Sequence, residues 1–124
     1  MAEYRNFTVE TDEDGIVLIT WDMPGRSMNI FTEEAMGELD RIVDQVVGDS
    51  GIKGAVFTSG KDTFSGGADI SMLHKMMTRF HEEKATNREN AVRQLFEEAG
   101  RMSWLWRKLE TSGKPWVSAI NGTC

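Results

Sequence analysis

The sequence predicts an α/β protein built on a largely parallel sheet. Short β-branched runs at residues 16–21, 54–58 and 116–120 alternate with long stretches whose apolar residues recur at helical spacing. The connections between these runs are long enough to carry a helix back across a sheet, as parallel neighbours require. Turn residues mark the junctions, and right-handed crossovers are the default for such units.

Each element has its own local reason. Residues 7–10 alternate weakly and form the first strand; Thr11 to Gly15, acidic and closed by glycine, is a tight turn into the Ile16-Val17-Leu18-Ile19-Thr20-Trp21 run, which has the composition of a buried strand. Residues 22–29, DMPGRSMN, contain a Pro-Gly pair and read as a loop. Thr32 is an N-cap followed by Glu33 and Glu34, and Met36, Leu39, Val43, Val46 and Val47 give one helical face that Asp49-Ser50-Gly51 ends. After the strand at residues 54–58, Ile70, Leu73, Met76, Met77 and Phe80 share a second helical face, until a charged patch at residues 82–90 breaks it. Asn87 caps a longer helix with Val92, Leu95, Phe96, Ala99, Met102, Leu105, Trp106 and Leu109 on one stripe, and Gly113 stands where a left-handed cap ends it. Lys114-Pro115 leads to the last strand.

A formal charge of −6 over 124 residues supplies no basic face for nucleic acid or for an anionic membrane. One cysteine excludes an internal disulfide, and no cationic-then-apolar leader opens the chain, so a cytoplasmic location is expected. No apolar run is long enough to span a bilayer. The final strand passes into an Asn121-Gly122 turn and the sequence stops two residues later, so a fragment of a larger domain is expected.

The stretch DTFSGGADI, residues 62–70, joins a strand to a helix. Such a turn presents free N–H groups and a positive dipole end to a ligand, and glycines permit close approach. The loop has neither a Lys-Ser/Thr pair nor GxGxxG spacing, so a nucleotide phosphate cradle does not fit. Two readings remain: bare amides that hold a ligand oxygen, or glycines serving only the turn while Asp69 caps the next helix.

Phe64-Ser65-Gly66-Gly67-Ala68-Asp69-Ile70 resembles the F-x-x-G-A-D-I segment of the enoyl-CoA hydratase/isomerase (crotonase) superfamily. The 22–29 loop resembles that family's Pro-to-Asn loop, and Lys114 to Gly122 resembles its K-P-x-(I/V)-A-A-(I/V)-N-G strand and turn. Within the superfamily, D-x-P-G-x-x-M-N and the long helix before Lys114 look like the hydratase domain of the multifunctional fatty-acid β-oxidation α subunit.

The resemblance implies the N-terminal part of a crotonase (ClpP-like) ββα spiral, truncated, with residues 1–124 as the N-terminal half of a hydratase/isomerase domain. It implies a parent reaction of reversible hydration of a trans-2-enoyl-CoA to the 3-hydroxyacyl-CoA, with or without Δ3-Δ2 isomerisation. Ala68 is then a backbone donor of the oxyanion hole for the thioester carbonyl, Gly66, Gly67, Ala68, Asp69 and Ile70 border the adenine of coenzyme A, and Arg26 is a candidate for its phosphates or else a solvated charge. No cofactor is implied for these residues beyond the coenzyme A of the substrate; NAD belongs to a following 3-hydroxyacyl-CoA dehydrogenase domain. Implied partners are an acyl-CoA thioester, copies of the chain in a trimer or hexamer, or a β-oxidation complex with a thiolase. The family's second oxyanion amide and its acid/base glutamates follow the Asn-Gly turn, so this polypeptide alone is expected to be catalytically incompetent. The alternative of another class is a non-catalytic module that binds coenzyme A or assembles with itself.

Other residues carry weaker expectations. Asp69 at a helix start fits capping, and Glu97 and Glu98 fit a solvated face. His74 and His81, with no further ligands nearby, make no metal site. Met72, Met76 and Met77 fit helix packing or an acyl tunnel. Trp104 and Trp106 cannot share a face, so one is exposed or at an interface.

Overall fold

Phe7–Thr11 (β1) and Ile16–Trp21 (β2) form an antiparallel hairpin. Its turn is closed by Asp12, whose Oδ1 accepts from the N–H groups of Asp14 and Ile16, and by Gly15 at φ +82. Helix Glu33–Gly48 (α1) then leads to Gly54–Ser59 (β3), and helices Ile70–Thr86 (α2) and Arg88–Glu110 (α3) lead to Trp116–Ala119 (β4). The sheet order is β1-β2-β3-β4, with β2, β3 and β4 parallel as expected from the crossovers. This structure, a computed structural model, describes residues 3–124.

One face of the sheet is the core. Val17, Ile19 and Trp21 of β2 are fully buried against Ala35, Leu39, Ile42, Val43 and Val46 of α1. Each large apolar side chain buried this way contributes about 1.5–3 kcal/mol. Trp21 anchors an aromatic cluster, stacked on Phe7 at 5.8 Å and tilted against Phe31 at 4.6 Å. The other face is open: Leu18, Val56 and Val117 lie opposite one another in register, and Leu18 and Val117 are exposed. The run at 16–21 is therefore buried on one face only, because every second residue of a strand points away from α1.

The apolar stripes of the later helices are only partly covered. No residue of α2 is buried, and Ile70, Leu73 and Met77 of its apolar stripe are exposed. In α3 only Ala91 and Leu105 are buried, while Val92 and Phe96 stand in solvent. The two helices form a hairpin about Asn87, which ends α2 through its N–H to Glu83 O and starts α3 by accepting from Asn90 N at 3.0 Å. The charged patch at 82–86 continues α2 rather than breaking it, since Glu, Lys and Ala are good helix formers.

Charged side chains tie the layers together. Buried Glu38 accepts from Arg5 N at 3.0 Å and Asn6 N at 2.9 Å, fixing the segment that enters β1. Helix α1 has no basic residue in its last turn, and Lys114 donates instead to Val46 O and Asp49 O, both at 2.5 Å. Lys108 of α3 donates to Asp40 and Asp44 of α1, both at 2.6 Å. Burial works to lower the Lys108 pKa, but the hydrogen bonds and charges of the two carboxylates outweigh it and hold the ammonium above its usual range.

A raised pKa stabilises the fold fully below the unfolded value of about 10.4 and fades as pH rises through the folded value. Lys108→Met is therefore expected to lower stability at pH 7 by about 0.5–1 kcal/mol, with the gap to the unsubstituted protein closing above about pH 10.5. Urea unfolding across that pH range reads this directly; a gap independent of pH would refute the assignment.

Candidate functional site

The site is assembled around a side chain with no access to solvent. Asn29 is fully buried; its Nδ2 donates to Trp21 O at 2.8 Å and Ser59 Oγ at 2.9 Å, and its Oδ1 accepts from Met23 N at 3.0 Å. It thereby joins the ends of β2 and β3. Ser59 Oγ also donates to Thr63 O at 2.7 Å and accepts from Lys61 N at 3.0 Å, folding the chain into the loop. The last residues fasten the same loop: Asn121 Nδ2 donates to Ser59 O at 2.8 Å, and Phe64 N donates to Thr123 O at 2.8 Å.

Beyond Phe64 the loop runs beside the segment before α1 as a short parallel ladder. Gly66 N donates to Asn29 O at 2.7 Å, Phe31 N to Gly67 O at 2.8 Å, and Asp69 N to Phe31 O at 3.0 Å. The residue between those last two bonds is Ala68, bridged to Phe31. In extended chain, successive amides alternate sides, so the Ala68 N–H points away from Phe31. It has no hydrogen-bond partner among the described residues, and Ala68 is exposed. Asp69 caps α2 by accepting from Ser71 N at 2.9 Å, so the free amide lies one residue before the cap of a 17-residue helix and its positive dipole end.

The two glycines differ. Gly67 has φ +83, a conformation that disfavours side chains, whereas Gly66 does not. An added Cβ at Gly67 meets nothing within 4 Å, whereas one at Gly66 runs into Met28 and Ile30.

Arg26 and Asp69 come together on a cleft of about 780 Å³ that Lys75, Arg79 and Met72 also line. Arg26 is exposed and has no ion-pair partner among the described residues. Gly66, Gly67 and Ala68 lie outside this lining, and Ile70 is 81% exposed. Glu97 is exposed as expected, but Glu98 pairs with Arg79 across the helix hairpin at 3.5 Å. His74 lines the cleft while His81 Nδ1 lies 2.7 Å from Met77 O of its own helix. Among the described residues no group of three His, Cys, Asp or Glu could hold a metal ion, and no helix is long and apolar enough to cross a membrane. Trp106 packs edge-on to Phe31 at 6.0 Å, and Trp104 is 65% exposed.

Sequence reasoning missed Asn29 as a buried anchor, and it missed Lys75 and Arg79 as neighbours of Arg26. Lys75 and Arg79 are four apart on α2, a spacing that puts them on one face.

The family described as enoyl-CoA hydratase/isomerase matches residues 11–124, and the chain belongs to it. The chain is 34% identical over its whole length to a fatty acid oxidation complex subunit alpha of Idiomarina loihiensis, of which it covers 16%. It is 36% identical over 97% of its length to the subunit of the same name from Shewanella oneidensis, covering 15% of that protein. The chain thus spans about a sixth of the length of these relatives. Among solved structures, an enoyl-CoA hydratase from Shewanella pealeana superposes with a TM-score of 0.74 at 16% identity, over 93% of this chain and 38% of that one. An enoyl-CoA hydratase/isomerase from Xanthobacter autotrophicus Py2 gives 0.71 at 24% identity, over 98% and 40%. These likenesses establish the fold: four strands and three helices covering part of a crotonase fold.

Asn29→Ala removes the donors to Trp21 O and Ser59 Oγ and leaves the Met23 N–H without its acceptor. It is expected to cost about 2–4 kcal/mol in urea unfolding. A loss below about 0.5 kcal/mol would show that the loop stands without it.

Proposed function

We propose that these residues form the thioester-binding part of an acyl-CoA hydratase/isomerase site, in which the Ala68 N–H donates to the carbonyl oxygen of an enoyl-CoA. The observation that supports this most is the exposed Ala68 amide, unpaired because Phe31 engages the groups on either side of it. Hydration or isomerisation of an enoyl thioester places negative charge on the thioester oxygen in an enolate-like state. A preorganised amide aimed at that oxygen stabilises the charge by about 2.7–4 kcal/mol per donor. Its place beside the α2 N-terminus adds a favourable dipole.

Arg26 and Lys75, beside Arg79 in its pair with Glu98, give the neighbouring cleft, which Glu33 and Glu34 also line, cations for the phosphates of coenzyme A. Asp69 acts as cap and is not available as a base, because its carboxylate holds Ser71 N. General acid/base work therefore falls to carboxylates other than Asp69 and the ion-paired Glu98. The likeness to α subunits of fatty acid oxidation complexes supports a place in fatty acid oxidation for the whole protein.

Calorimetric titration at low salt tests this reading. Crotonyl-CoA is expected to bind more tightly than free coenzyme A, and Arg26→Ala with Lys75→Ala to weaken both about equally, by about two- to fivefold per substitution. Equal affinity for the thioester and for free coenzyme A would defeat the assignment to Ala68.

A second reading, a non-catalytic module that binds coenzyme A or assembles with copies of itself, is favoured in its assembling form by the row Leu18, Val56 and Val117, of which Leu18 and Val117 are exposed. It expects a concentration-dependent oligomer in sedimentation that Val117→Lys abolishes; a monomer at all concentrations would remove it.

A further inference from the structure

Gly66 is a glycine for a reason its backbone does not supply. It lies outside the left-handed region, so its conformation suits any residue. Yet an added Cβ would lie 2.5 Å from Met28 Sδ, 3.2 Å from Ile30 Cγ2 and 3.4 Å from Met28 Cγ. The first distance is far inside the contact range of about 3.5–4.0 Å between non-bonded heavy atoms. The space beside the Gly66 α-carbon is filled by the Met28 thioether.

Both sides of this contact are held from behind. Met28 is followed by fully buried Asn29, whose side-chain hydrogen bonds with Trp21, Ser59 and Met23 keep that segment from retreating. Gly66 is held by its N–H to Asn29 O at 2.7 Å. Met28 therefore presses on a loop that is already tethered, two residues before Ala68. A thioether suits the place because it is flexible and polarisable and moulds to an irregular gap.

We propose that Met28 is a positioning residue: its side chain, lying across bare Gly66, holds the backbone that aims the Ala68 N–H. This rests on the reading of Ala68 as the thioester donor. Met28 is 43% exposed, so trimming it leaves the core intact while loosening the loop. Gly66→Ala acts from the other side, because the new methyl displaces the thioether.

The test is the backbone order parameter of the Ala68 amide by NMR in the free protein, combined with the affinities for crotonyl-CoA and for coenzyme A. In the unsubstituted protein the Ala68 order parameter is expected near the rigid value of about 0.85, and in Met28→Ala and Gly66→Ala to fall below about 0.7, with Met28→Leu staying rigid. The preference for crotonyl-CoA over coenzyme A should shrink in the two loosened variants, while in Met28→Ala, which lies outside the residues assigned to coenzyme A, affinity for coenzyme A itself holds, a split that general destabilisation would not produce. An Ala68 amide as rigid in Met28→Ala as in the unsubstituted protein overturns the proposal, as does an unchanged thioester preference. If the unsubstituted protein shows no preference for the thioester, the reading of Ala68 fails, and the order parameters alone decide whether Met28 positions the loop.

Discussion

The buried amide of Asn29 is the constraint on which the rest of the site depends. A primary amide taken out of water must find partners for its donors and its acceptor, and Trp21 O, Ser59 Oγ and Met23 N are the partners within reach. Meeting that demand forces the ends of β2 and β3 together and brings the segment before α1 alongside the glycine loop. The ladder that results engages Gly67 O and Asp69 N and leaves Ala68 N over. The free amide is a by-product of where the neighbouring hydrogen bonds go, which is how a scaffold presents an unpaired donor without burying it.

The same segment divides its labour by alternation. Asn29 points inward to the strand ends, and Met28 and Ile30, one residue to either side, lie against Gly66. The loop is thus held by hydrogen bonds from one side and by apolar contact from the other. The cleft that gathers Arg26, Lys75 and Arg79 is a separate feature, bordered by Asp69 at the start of α2. The unpaired Ala68 amide and this cleft fall on neighbouring surfaces linked by the N-terminus of α2.

What the sequence revealed was what local chemistry decides. Thr32, Asp69 and Asn87 were legible as caps, and each accepts from a backbone N–H two or three residues on. The Gly113 stop was legible too, and it takes φ +76. Burial was not legible to the same degree. The periodicity of Ile70, Leu73 and Met77 defines a face but not what covers it, and here those residues are exposed. The run at 16–21 has the composition of a strand buried on both faces, yet α1 covers only one. The role of Asn29 depends on Ser59, 30 positions away, and no spacing rule connects them. The family resemblance pointed to Ala68, but only the pairing of Phe31 explains why its amide is unpaired.

The measurement closest to the central claim is a crystal structure of the protein with an unreactive enoyl-CoA analogue. The account predicts the thioester oxygen at about 2.7–3.1 Å from Ala68 N, with the phosphates beside Arg26. A bound analogue whose thioester oxygen has no contact with Ala68 N would contradict it.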